Sequence, residues 1–369
     1  MSVDPRITRM AQVLVQHSLN LKAGDRVVIN GSTLAADLIK EVYRESLQAG
    51  AFPIVQTQLP GISEIMLRDG DDAQLQEISP VEQVLNEQAD AELRIISEEN
   101  TRALSDVSAD RITTFASART ALRRNRMQRA ADGNLRWSLT LFPTNAHAQD
   151  AQMSLESYRE FVYDACHLND PDPIARWREL SVRQATMIEW LRQRKQVHVI
   201  GPDTDLRLSI GGRTWNNSDG KRNFPSGEVF TGPIEDSVEG HIRFTFPATI
   251  QGHEVAGIFL RFEQGVVVDA SAERNEDFFL RMLETDQGAK RVGEFAFGTN
   301  TGIQRFTGNT LFDEKIGGTI HLALGAGYPD TGSTNVSAIH QDMVCDLRQE
   351  GEVRVDNEVF LKRGRYLTD

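Results

Sequence analysis

Cysteine is nearly absent from this chain: Cys166 and Cys345 are the only two in 369 residues. A pair so far apart builds neither a disulfide framework nor a thiolate metal site, and it suits a reducing compartment. Positive charge is also in deficit, with 40 lysines and arginines against 53 aspartates and glutamates, a net charge of −13. That balance argues against a nucleic-acid partner, whose phosphates demand a basic face, and against an anionic membrane surface. No apolar run approaches the roughly 18 residues of a membrane span. The opening MSVDPRITRMAQVLVQ lacks the charged-then-apolar order of a signal peptide. A cytoplasmic location is the expectation. Three motifs are missing as well. Neither G-x-G-x-x-G nor G-x-x-x-x-G-K-[ST] follows a predicted strand, so no nucleotide is indicated, and the H-E-x-x-H of single-zinc peptidases does not occur.

At this length two domains are the default. The first half alternates helix and strand. GDRVVIN and FPIVQTQ read as buried strands on either side of an amphipathic helix, AADLIKEVYRESLQAGA, stopped at Gly50. That order implies a parallel sheet. AELRIIS and RWSLTLFPT continue it, with the basic helix SARTALRRNRMQRAA between them. Five arginines there suggest an anion site less readily than a solvated helix face. A break rich in proline and aspartate, HLNDPDPIARW, divides residues 1–170 from 171–369. Beyond one further helix the chain turns to β, with QVHVIGP, DLRLSIGG, EGHIRFTFPATIQG, EVAGIFLRFEQGVVVDAS and EVRVDNEVFLKRG read as strands. The expected fold is an α/β N-terminal domain with a mainly parallel sheet, followed by an α+β C-terminal domain with a curved antiparallel sheet.

Polar residues with metal-binding chemistry collect in that second half. Glu228 lies in FPSGEVFTGP and Glu294 in RVGEFAFGTN, each between a glycine and an apolar run. Burying a carboxylate there is costly unless it is paired or metal-bound. FDEKIGGTIHLALGAGYPD carries Glu314, Lys315, His321 and Tyr328. SAIHQDM carries His340 and Asp342, two apart, so on one face of a strand. Each has a plain alternative: a surface turn, a hydrogen-bonded core histidine, an aromatic over a turn, a surface Glu314–Lys315 pair of little worth. His198 and His241 read as structural. Four carboxylates and two histidines exceed what one tetrahedral zinc requires. Without a thiolate, they suit two Zn, Co, Mn or Mg ions that share a carboxylate and a water.

WNNSDGKRNFPSGEVFTGPIEDSVEGHIRF, GEFAFGTN, FDEKIGGTIHLALGAGYP and NVSAIHQDMVCDL occur in this order, and on them the chain resembles the M29 family of metallo-aminopeptidases. The resemblance spans essentially the whole length. It implies two divalent metal ions per subunit, a homodimer with an internal cavity, and peptide substrates with a free N-terminus. It further implies Glu228, Glu294, His321, His340 and Asp342 as ligands, with Glu314 and Tyr328 as further site residues. The expected reaction is hydrolysis of the N-terminal residue, with Glu294 as the bridging ligand. Glu228 or Glu314 would carry the proton, and Tyr328 would face the oxyanion or a metal. Two other readings stand beside it: a metal-dependent peptide-binding protein without turnover, and a two-metal phosphoesterase.

Overall fold

The computed structural model describes residues 4–250 and 252–367. They divide into two compact units. The first runs up to Arg176 and includes Gly220–Phe224; the second holds Trp177–Asp219 and the chain from Pro225 onward. The division falls within the helix Pro173–Leu191.

The first unit is built on five parallel strands, in the order Phe52–Gln58, Arg26–Ser32, Ala91–Ile96, Arg136–Leu141 and Asn223–Phe224. Val27, Val28 and Ile29 are consecutive and all buried, the mark of a strand covered on both faces. The helix Ala36–Gln48 crosses between the first two strands and buries Leu38, Ile39 and Val42. It stops because Gly50 adopts φ +77°, letting Gly50 N bond Leu47 O and Ala51 N bond Ser46 O. The short last strand was not expected in this sheet. It comes from far along the chain, and two residues carry no alternation to read.

The second unit contains two larger antiparallel sheets, of eight and five strands. Val199, Leu206, Ile242 and Leu260 from the first share a core with Phe295, Phe297, Ile320, Leu322 and Met343 from the second. The observed architecture is therefore the α/β-plus-antiparallel arrangement expected. Two long β segments are each divided. EGHIRFTFPATIQG splits into Glu239–Arg243, in the eight-stranded sheet, and Ala248–Ile250, which pairs with His253–Val255 in a separate ribbon. Pro247, which has no N–H to donate, lies at that break; Gln251 lies outside the described residues. EVAGIFLRFEQGVVVDAS divides in the same way into His253–Val255, Phe259–Glu263 and Val266–Ser271.

Candidate metal centre

The five-stranded sheet has one apolar face and one polar one. Its strand order is His340–Asp346, Thr319–Gly325, Val292–Gly298, Glu228–Thr231 and Asn216–Ser218. Residues directly opposite in an antiparallel pair share a face. Glu294 pairs with Ala323, which pairs with Asp342. His321 lies between Ala296 and Val344, Gly325 faces His340, and Gly298 faces Glu228. All five ligand candidates from the strands thus project from one face. Ala296, Gly298, Ala323 and Gly325 separate them and leave that face open. The alternate residues Val229, Phe295, Phe297, Leu322 and Met343 enter the core.

Glu294 reaches the polar face through a β-bulge. Pairing shifts register between Val292, opposite Leu324, and Glu294, opposite Ala323. In an unbroken strand, residues 292 and 294 would share one face; the extra residue, Gly293, sends Val292 into the core and Glu294 to the site. A Cβ at Gly293 would lie 2.4 Å from Gly325 O, so the position requires glycine.

The candidate ligands form two groups, Glu228 with Glu314 and His321, and Glu294 with His340 and Asp342. Glu294 lies against both: its Oε1 is 3.2 Å from His321 Nε2 and its Oε2 is 3.5 Å from His340 Nε2. Glu228 Oε2 is 3.6 Å from His321 Nε2, and Asp342 Oδ1 is 3.6 Å from His340 Nε2. His340 Nδ1 donates to Ala326 O at 2.7 Å. That bond assigns the second ring proton, turns Nε2 toward the carboxylates and fixes the ring plane. Glu314 is the C-cap of the short helix Thr310–Asp313, whose N-cap Asn309 accepts from Leu311 N. Asp313 anchors the same turn by accepting from Thr307 N and Thr307 Oγ1.

The electrostatics follow from crowding buried carboxylates. Burial alone disfavours imidazolium at His321, yet the Glu294 bond and the charges of Glu294 and Glu228 outweigh it and raise its pKa to about 9. At His340, burial is likewise outweighed by the Asp342 and Glu294 bonds, to about 11. Burial pushes Glu314 up to about 8, against the pull of Lys315, and raises Glu228 as well. Glu294 and Asp342 stay low because, against burial, their histidine bonds prevail. Burial and the four carboxylates hold the Tyr328 hydroxyl well above its ordinary value.

The model of the thermophilic metalloprotease (M29) family matches residues 3–366. The chain belongs to this family. It is accordingly a metal-dependent peptide hydrolase. Among curated relatives it is 28% identical to aminopeptidase 2 of Geobacillus stearothermophilus, across 94% of each chain. It is 26% identical to aminopeptidase T of Thermus thermophilus, across 88% of this chain and 85% of that protein. The solved structure of wild-type AmpT from Thermus thermophilus superposes with a TM-score of 0.84 at 23% identity, covering 98% of this chain and 99% of that one. The M29 fold is thus shared over its full extent.

The residues fit the divalent metal that an M29 enzyme implies. Glu228 Oε2, which faces His321 Nε2, is buried without a hydrogen-bond partner, and such an atom is costly unless something satisfies it. The oxygen and imidazole donors suit a borderline or hard cation. Lys315 corrects the plain reading of a surface pair: it is fully buried, its Nζ bonded to Glu314 Oε1 and 3.7 Å from Glu228 Oε1. Tyr328 packs edge-on to His340, with ring centroids 5.3 Å apart, and remains 43% exposed.

Sequence reasoning missed the groups that hold these ligands in place. Asp286 accepts from Ala338 N at 2.7 Å and Ser337 Oγ at 3.0 Å, tying down the segment that leads into His340. Glu235 accepts from Thr334 N at 2.6 Å and from the Arg213 guanidinium at 2.5 Å, bracing the loop after Tyr328. Neither lies in an apolar run, the one signal used to find candidates. His198 bonds Asp205 at 2.8 Å and His241 rests on Phe259, both away from the ligand set. In the basic helix, Arg126 pairs with Glu92, Arg119 pairs with Glu82, and Arg129 donates to Asn86 O and Ala89 O.

Proposed function

We propose that the protein is an aminopeptidase that binds two divalent ions per subunit and releases the N-terminal residue of peptides with a free α-amine. The observation that carries this reading is Glu294, whose two carboxylate oxygens divide between His321 and His340. A carboxylate so placed suits a bridge between two ions, one held with Glu228, Glu314 and His321, the other with His340 and Asp342. The relatives named as aminopeptidases support the same substrate class. When bound, the ions supply Lewis acidity, polarising the scissile carbonyl and lowering the pKa of a shared water.

The chain's own residues do the rest. Glu228 or Glu314, whose burial raises the carboxyl pKa and so makes its carboxylate the stronger base, is suited to take the proton of the attacking water and return it to the leaving amine. Lys315 keeps this pair from repelling itself apart. Tyr328 stays protonated across the working range, and it donates to the oxyanion that develops at the scissile carbonyl. A cytoplasmic homodimer completes the reading, as the family resemblance implies; sedimentation of the purified protein measures the subunit number.

The test compares free and N-acetylated forms of the same short peptides after chelation and re-addition of single metals. Release of the first residue from the free peptides alone, restored by metal, is the expected result. Equal cleavage of the acetylated peptides would overturn the aminopeptidase assignment. Metal analysis of His340→Ala supplies the second arm, with one ion lost per subunit and turnover abolished.

A further inference from the structure

Tyr328 stands on the segment 326–339, which joins the strands Thr319–Gly325 and His340–Asp346. Its ring rests on Phe230 and His340, with centroids 5.4 and 5.3 Å away, but its hydroxyl has no hydrogen-bond partner among the described residues. The main chain beneath therefore decides where the hydroxyl reaches. That main chain is tied in a continuous series. Tyr328 O accepts from Thr331 N at 3.0 Å and from Thr331 Oγ1 at 2.6 Å. Gly327 N donates to Asn335 O at 3.0 Å. Ser333 Oγ lies so close to Gly327 that a Cβ there would collide with it. The series ends on Glu235. Its Oε1 accepts from Ser333 Oγ at 3.3 Å, Thr334 N at 2.6 Å and Thr334 Oγ1 at 3.0 Å, and its Oε2 accepts from Arg213 Nη2 at 2.5 Å. Glu235 is itself held from elsewhere in the chain: Arg213 Nη2 also donates to Pro233 O at 3.0 Å, and Arg291 Nη1 donates to Glu235 O at 3.1 Å.

We propose that Glu235 is a positioning residue for peptide hydrolysis: through Ser333, Thr334 and Gly327 it fixes the main chain of Tyr328 and so aims the hydroxyl at the oxyanion. The inference rests on the aminopeptidase reading and on the place of Tyr328 in it. An oxyanion donor works only at hydrogen-bond distance from the developing charge, and a displacement of about 1 Å costs roughly 100-fold in rate. The chemistry of the brace suits that demand. A carboxylate offers two acceptor oxygens, so one group holds the loop and the Arg213 guanidinium at once, through charge-assisted bonds that are shorter and stronger than neutral ones. A glutamine in its place would turn an NH2 toward either Arg213 or the Thr334 N–H, donor against donor, and release one side of the brace. The side-chain bonds of Glu235 go to Arg213, Ser333 and Thr334 and to none of the candidate ligands. Its effect on the reaction should therefore pass through Tyr328 and spare the metal.

The experiment measures kcat, KM and bound metal for wild type, Glu235→Gln, Tyr328→Phe and the double variant, with the dipeptides Leu-Gly and Ala-Gly as substrates. Glu235→Gln should lower kcat about 10- to 100-fold, with KM within about twofold and the metal content of wild type. In the Tyr328→Phe background the same substitution should lower kcat less than about twofold, because the hydroxyl it would misplace is already gone. A merely structural role would give equal losses in both backgrounds, and that result would overturn the proposal. So would loss of metal from Glu235→Gln, or a wild-type kcat in either single variant. Thr334→Val, at an exposed position, keeps the N–H to Glu235 and removes only the hydroxyl. It is the second arm should Glu235→Gln fail to fold, and its kcat should fall about threefold with tyrosine at position 328 and stay unchanged with phenylalanine there. A wild type that releases no residue from either dipeptide with metal restored would overturn the aminopeptidase reading itself, and this role with it.

Discussion

Lys315 Nζ lies 3.7 Å from Glu228 Oε1, and the lysine side chain has no exposed surface. A buried ammonium so placed is kept charged by its neighbours: burial opposes the charge, but Glu228 and Glu314 raise its pKa above the ordinary value. Lys315→Met should therefore leave two facing carboxylates uncompensated. Breaking a buried pair in this way costs about 3–5 kcal/mol. Denaturant unfolding of the chelated protein should show that loss, and saturating metal should recover part of it. An unchanged midpoint without metal would show that Lys315 is not a countercharge.

Tyr328 is argued to act at the oxyanion, so its phenol oxygen should matter more than its ring. Tyr328→Phe keeps the packing on His340 and Phe230. Its kcat should fall about 100- to 1000-fold, as for loss of one oxyanion donor, with KM nearly unchanged. A rise in KM at constant kcat would instead place the residue in ground-state binding.

Metal binding should release protons. In the metal-free protein His321 titrates at about 9 and His340 at about 11, so both carry an extra proton at neutral pH. Each must lose that proton before Nε2 can bind a cation. Affinity should rise as pH increases toward those values and fall in acid. Calorimetry in buffers of different ionisation enthalpy reads the proton count directly; zero protons released at pH 7 would contradict the ligand assignment.

Asp286 provides a separate acid limit. The Ala338 N–H, first among its donors, holds its carboxyl below the usual 3.8. A depressed folded pKa means that its contribution is complete above the unfolded value and is lost as pH falls through the folded one. The Ser337–Ala338 segment should thus loosen only in strong acid, seen as faster amide exchange at Ala338. Asp286→Asn should show that faster exchange already at pH 7 and bind metal about 10- to 100-fold more weakly, as for loss of an outer-shell anchor. Wild-type exchange at Ala338 in the variant would remove Asp286 from this role.

Much of this centre is legible in local pattern. His340 and Asp342, two apart in a strand, share a face wherever the strand lies, because side-chain alternation is a property of the chain itself. Gly-Glu before an apolar run marks Glu228 and Glu294 as carboxylates whose neighbours will be buried. The helix–strand alternation of the first half and the turn-punctuated strands of the second likewise need only short windows. Asp286 and Glu235 escaped because their role depends on backbone N–H groups far away in sequence, at Ala338 and Thr334.

The amino-acid sequence by itself determined which residues are available as ligands, on which strand face each pair falls, and that no thiolate or basic surface competes with them. Only the tertiary structure decided that Glu294 lies opposite Ala323 and Asp342, that the bulge at Gly293 turns it out of the core, and that Lys315 is buried between two glutamates rather than exposed beside one. Alternation is set within a strand. Register, burial and the spacing of charges are set between strands, and those depend on which segments pair after the chain has folded.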